Sequence, residues 1–132
     1  MGPVGAGRVS RHVTVVCSHC GRAAAEVALL PAEVPGAEPW SQGDRLERTD
    51  FLGAVTKFGA YDALRPLFDL VARGDFDAAR GADADFVAFY CRACRRVYCD
   101  RCWGAHRLEF DEGFYDCTYA TCPRGHEQVI DD

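Results

Sequence analysis

The chain has 132 residues, 48% of them hydrophobic and 11% aromatic, a globular rather than a disordered composition that allows one domain with a modest core. Its formal net charge of −5 makes it a poor general binder of phosphate backbones. Its first dozen residues hold no apolar run of the length a signal peptide or membrane span requires, so the sequence reads as soluble and cytoplasmic, with no membrane partner.

Residues 12–16 are rich in β-branched side chains and run into Cys17-Ser-His-Cys20-Gly21, after which residues 26–30 are again strand-like. This predicts a zinc knuckle held in a β-hairpin over residues 12–30, with Gly21 supplying the positive φ of the turn. Residues 31–43 carry three prolines and two glycines and read as a loop anchored by Trp40. Leu64, Leu67, Phe68 and Val71 then recur at helical spacing, predicting a helix with Pro66 near its first residue and Gly74 at its stop. A second short helical turn is expected over residues 75–80. Residues 31–84 are therefore read as an insertion with a helix.

From residue 85 to residue 130 the chain reads as the second half of a metal framework. Residues 85–90 are strand-like, residues 97–98 a short strand, and residues 99–109 a helix with Cys99 and Cys102 in its first turn. Residues 109–116 read as an acidic loop pinned by Phe110, Phe114 and Tyr115, and Val129-Ile130 as a closing strand.

The chemistry lies in three Cys-x2-Cys pairs, Cys17/Cys20, Cys91/Cys94 and Cys99/Cys102, followed by Cys122-Pro-Arg-Gly-His126. Tetrahedral zinc needs four soft or borderline donors, and two residues between cysteines is the spacing at which a tight turn aims both sulfurs at one point. Eight donors fill two sites, so two Zn2+ per chain are expected. Seven thiolates and two dications would lower the formal charge by three, to about −8.

The segment Tyr90-Cys-Arg-Ala-Cys-Arg-Arg-Val-Tyr-Cys-Asp-Arg-Cys102 resembles the central stretch of FYVE and RING-type cross-brace domains, where two such pairs stand four residues apart. That resemblance implies a small α+β zinc-binding fold, a treble-clef, cross-brace two-zinc core carrying the inserted helical subdomain. It also implies alternating pairs: Cys17, Cys20, Cys99 and Cys102 on one ion, and Cys91, Cys94, Cys122 and His126 on the other. Consecutive sharing, with Cys17, Cys20, Cys91 and Cys94 on one ion, is the alternative. The tail from Gly113 to His126 is similar to that of small uncharacterised bacterial zinc proteins, and fourteen arginines against the single Lys57 have the look of a bacterial coding sequence. Cys117 is left as the odd cysteine, and His19 and His106 as imidazoles beside the ligand pairs.

Sites of four cysteines, or of three cysteines and a histidine, are closed and stabilise a fold, so no catalytic residue is expected. The leading functional expectation is a protein-interaction adaptor, its sharpest version a RING-like recruiter of a ubiquitin-type conjugating enzyme with Trp103 as a candidate contact. Two other readings are carried with it. One is a zinc finger that binds nucleic acid through Arg92, Arg95, Arg96, Arg101 and Arg107 with Tyr90 and Tyr98 interleaved. The other is a redox-sensitive zinc switch involving Cys117.

Overall fold

A computed structural model describes residues 9–36, 42–50 and 53–131. Trp40, the expected loop anchor, lies outside the described residues. The architecture is small α+β, mostly sheet, with two helices. Four antiparallel strands, β1 (Arg11–Val16), β2 (Ala23–Leu30), β3 (Arg45–Asp50) and β4 (Gly53–Phe58), form a meander in sequence order. β1 and β2 are the expected hairpin, and Gly21 at their turn has φ +80°.

The inner face of this sheet follows the period of two. Val15 and Val13 pair with Ala25 and Val27, and Val27 and Leu29 pair in turn with Arg48 and Leu46. Helix α1 (Tyr61–Ala72) covers that face with Leu64, Leu67, Phe68 and Val71, the stripe predicted from sequence. The helix begins earlier than expected, so Pro66 is its sixth residue rather than its first. The proline has no N–H for the carbonyl of Asp62, a loss confined to the first turns.

No side chain at the N-cap, Ala60, caps α1; Oδ2 of Asp44 accepts the Tyr61 amide at 3.0 Å while Oδ1 accepts that of Ala32 at 2.7 Å. The helix ends in a reciprocal pair of bonds, Asp75 N–H to Leu70 carbonyl (2.8 Å) and Gly74 N–H to Val71 carbonyl (3.1 Å), with Gly74 at φ +78°. Helix α2 (Phe76–Ala82) follows at once, capped by Asp75 through the Ala78 amide.

Strands β3 and β4 fall in the stretch read as a helical insertion, so the boundary drawn at residue 30 runs between two paired strands. Arg45 and Arg48 obscure the alternation of β3, because both are buried, 1% and 3% exposed. Each guanidinium group is held in part by main chain: Arg45 Nη1 donates to the carbonyls of Val34 and Gly43, and Arg48 Nη1 to those of Asp85 and Phe86.

Residues 85–90 are not a strand; Asp85–Val87 form a 3-10 turn whose carbonyls receive Arg48, and strand β5 is only Tyr90–Cys91, paired with β6 (Arg96–Val97). A short apolar run does not distinguish strand from helical turn, and here the turn buries Phe86 and Val87 together. The helix expected over residues 99–109 is also replaced. A single turn, with the amides of Cys102 and Trp103 on the Cys99 carbonyl, gives way to β7 (Gly104–Asp111). The expected acidic loop is the tight turn Glu112-Gly113, both residues at positive φ (51° and 84°), leading into β8 (Phe114–Thr121). β9 (Glu127–Asp131) completes an antiparallel sheet β7-β8-β9, as Val129-Ile130 suggested.

One hydrophobic core runs through all three sheets and includes Cys17, Cys91, Cys99 and Cys122 with Phe89, Tyr98 and Trp103. Among the described residues, no helix is long and apolar enough to cross a membrane.

Candidate metal centres

The eight donors named from sequence come together in two groups of four, each with its ligand atoms within 4.8 Å of one another. The first is Cys17, Cys20, Cys99 and Cys102; the second is Cys91, Cys94, Cys122 and His126. The side chains thus group in the alternating order.

In the first cluster, the hairpin turn after β1 supplies Cys17 and Cys20, and the turn before β7 supplies Cys99 and Cys102. Sulfur separations are 3.6 Å for Cys17–Cys102, 3.4 Å for Cys20–Cys99 and 3.7 Å for Cys99–Cys102. A tetrahedral ion with metal–sulfur bonds of about 2.3 Å places its sulfurs about 3.8 Å apart, whereas a disulfide brings them to about 2.05 Å. The observed spacings fit shared coordination and exclude bridges; all eight cysteines are free thiols.

In the second cluster, Cys91 and Cys94 come from the β5–β6 turn, and Cys122 and His126 from the turn between β8 and β9. Cys94 Sγ lies 3.6 Å from Cys122 Sγ, and His126 presents Nδ1 to Cys94, Cys122 and Cys91 at 3.0, 3.4 and 3.9 Å. The turn is shaped by Gly125 (φ +91°) and by the reciprocal main-chain bonds Gly125 N–H to Cys122 carbonyl and Cys122 N–H to His126 carbonyl.

Each cluster holds one thiol shifted towards thiolate and at least one that burial keeps protonated. For Cys17, burial pushes the thiol up, but the main-chain N–H groups of Cys20, Cys99 and His19 outweigh it and bring it down to about 6. Cys122 follows the same balance: burial opposes, the amides of His126 and Arg124 prevail, and the thiol falls to about 7. Burial is the main cause that carries Cys91 up to about 11 and pushes Cys99 and Cys102 upward as well. A divalent ion supplies the positive charge that would ionise those three. The donor set therefore fits a soft or borderline metal ion in each cluster.

Both clusters are complete with four protein donors, and three of the eight, Cys17, Cys91 and Cys99, are buried to within 2% of full occlusion. An ion held by all four donors of either cluster would have no tetrahedral position left for a substrate. The remaining candidates add no side-chain donor to either cluster. Cys117 is buried on β8, His106 Nε2 sits 2.9 Å from the Trp103 carbonyl, and His19 is exposed. Trp103 is 1% exposed, its indole N–H donating to the Phe89 carbonyl at 2.9 Å, so it is a core residue and no contact surface. Tyr90 and Tyr98 are buried too and offer no face to a base. The arginine cluster divides: Arg95 pairs with Asp77, Arg107 pairs with Glu109 and Glu127 and lies 4.5 Å from the Tyr119 ring centroid, and Arg92, Arg96 and Arg101 are exposed.

Sequence reading missed the apolar exposure of the β7–β8 hairpin. Leu108, Phe110, Phe114 and Tyr115 are all exposed, Phe114 at 77%. Aromatics expected to pin a loop stand in solvent instead.

A family model described as Domain of unknown function (DUF8328) matches residues 7–132. No curated protein and no solved structure matches the chain.

Proposed function

Because the chain belongs to the DUF8328 family, whose function is unknown, we propose from its own geometry that it is a structural-zinc adaptor, a protein whose two closed metal centres hold a surface rigid for another protein to bind. The observation that carries this reading is closure: four protein donors at each centre leave nothing for chemistry at the ion. Zinc is the proposed metal because sets of four cysteines, or of three cysteines and a histidine, are those of structural zinc. Each centre would join parts that are distant in the sequence. The first ties the β1–β2 hairpin to the turn entering β7, and the second ties the β5–β6 turn to the β8–β9 turn.

The proposed contact surface is the β7–β8 hairpin. An apolar cluster in solvent marks an interaction site, and this one is interleaved with Glu109, Asp111, Glu112 and Asp116, with Arg107 as the one opposing cation on its strands. Its occupant is therefore a basic protein segment with apolar anchors. The cross-brace reading rests on the alternation of the pairs; the helix that would complete a treble clef does not form over residues 99–109. Recruitment of a ubiquitin-type conjugating enzyme is the finer version, and discharge of that enzyme's thioester on addition of the protein tests it.

The adaptor reading is tested by in-cell crosslinking with the wild-type chain and with Phe110→Ser/Phe114→Ser. The expected result is a partner joined through basic segments to the wild type, absent with the variant while two zincs per chain are retained. Equal recovery with both would remove the hairpin from the interface.

A further inference from the structure

A cleft of about 440 Å3, lined by none of the eight metal donors, is bounded by β3 and β4, the end of α2, the 3-10 turn, β5 and β9. That volume is within the range of small-molecule sites, about 300–1,000 Å3. Its walls are held open by polar links between elements. Lys57 on β4 is ion-paired with Asp83 beyond α2, Arg48 on β3 donates to the Asp85 and Phe86 carbonyls, and Gln128 on β9 donates to those of Ala88 and Tyr90 at 3.3 and 2.7 Å. A cavity bridged this way cannot close by side-chain collapse without breaking those bonds.

Four cationic side chains line the cleft, Arg48, Lys57, Arg80 and Arg92, against the carboxylates of Asp83 and Asp85. This excess is opposite in sign to the chain's net charge of −5. Two of the cations are committed: Lys57 to Asp83, and Arg48 to the two carbonyls and to Asp50, whose Oδ2 is 3.2 Å from Arg48 Nε. Among the described residues, Arg80 and Arg92 form no ion pair. Between these groups the surface is apolar, with Phe86, Val87 and Ile130 buried behind it and Val55 and Val129 partly exposed at its sides.

We propose that this cleft binds a small organic anion, its carboxylate or phosphate held by Arg80 and Arg92 and its apolar or aromatic body laid against Val55 and Val129. Arginine suits the first task because its planar fork pairs bidentately with either group. The apolar lining supplies the second, since a bare inorganic ion would leave it wet. The proposal does not rest on the adaptor reading; the cleft and the β7–β8 hairpin tip are lined by different residues.

The test is titration of the metal-loaded full chain, followed by amide NMR shifts, with phenyl phosphate, benzoate, inorganic phosphate and benzyl alcohol. Saturable shifts at Lys57, Arg80, Phe86, Arg92 and Val129 are expected with the two aromatic anions, and affinity at least about tenfold weaker for inorganic phosphate and for the neutral alcohol. Which aromatic anion binds more tightly assigns the head group. Arg80→Gln, on α2 and remote in sequence from every metal donor, should weaken the better probe by about tenfold with zinc content unchanged. Arg92→Gln should do the same, but lies beside Cys91, so its zinc content is measured alongside. Absence of saturable shifts with every probe, shifts centred elsewhere, inorganic phosphate binding as tightly as phenyl phosphate, or undiminished binding by Arg80→Gln would each overturn the proposal.

Discussion

Ser18 and Val97 are bonded reciprocally: the Ser18 amide donates to the Val97 carbonyl at 2.7 Å, and the Val97 amide donates to Ser18 Oγ at 3.2 Å. Ser18 lies between the two cysteines of the first knuckle, and Val97 lies between the pair that serves the second cluster and the pair that serves the first. The knuckle is thus aligned with its distant partner pair by main chain as well as by metal. Ser18→Ala removes the acceptor for an amide on a buried residue, at a cost of about 1–3 kcal/mol. The expected outcome, read by denaturant unfolding of the metal-loaded chain, is that loss with two metals per chain retained.

Metal content separates the eight donors from the ninth candidate. Cys99→Ser should lose one ion of two, and Cys91→Ser the other, whereas Cys117→Ser should retain both; native mass spectrometry counts them. Structural zinc contributes on the order of 10 kcal/mol to a small fold, so exhaustive chelation should abolish the cooperative unfolding transition. A chelated chain with an unchanged transition would contradict a structural role for the metal.

The thiols set the sign of the pH dependence. Cys17, at about 6 in the fold against an ordinary 9, contributes stability that is full above 9 and lost as the pH falls through 6. Cys91, at about 11, contributes in the opposite direction, fully below 9 and lost as the pH rises through 11. Those are the balances of the metal-free fold. Metal binding expels protons, which strengthens the acid-side effect: metal should be held at pH 8 and released, with the folded structure, as the pH falls through about 6. A chromophoric zinc indicator read together with circular dichroism checks this, and metal loss without unfolding would argue against coupling.

Asp44 joins the loop before β3 to the start of α1 through the amides of Ala32 and Tyr61. Asp44→Ala should destabilise the fold by about 1–2 kcal/mol, as loss of a helix cap does. Asp44→Asn, which keeps an acceptor for one of the two amides, should recover part of that. Both variants should keep their metal, since Asp44 is remote from either cluster, and thermal unfolding of the loaded protein orders the three chains.

Local order along the chain was enough to pick out the eight residues that the fold gathers into two clusters, because a Cys-x2-Cys or Cys-x3-His turn is made by the residues within it. It was enough for the β1–β2 hairpin, where β-branched runs flank a glycine at positive φ, and for the buried stripe and glycine stop of α1. It failed where distant partners outweigh local preference. Arg45 and Arg48 look like surface charges until the carbonyls that receive them are in place, and so β3 went unread. Residues 104–111 could continue a helix from Cys99, but pairing with β8 gives their main chain a partner there, and the helix is lost. The resemblance could suggest which pairs would meet, yet only the tertiary fold brings Cys17 to Cys102 and Cys91 to His126. The same packing leaves the cleft beside Arg80. Spacing sets the aim of each sulfur pair; the partner it faces depends on contacts some eighty residues apart.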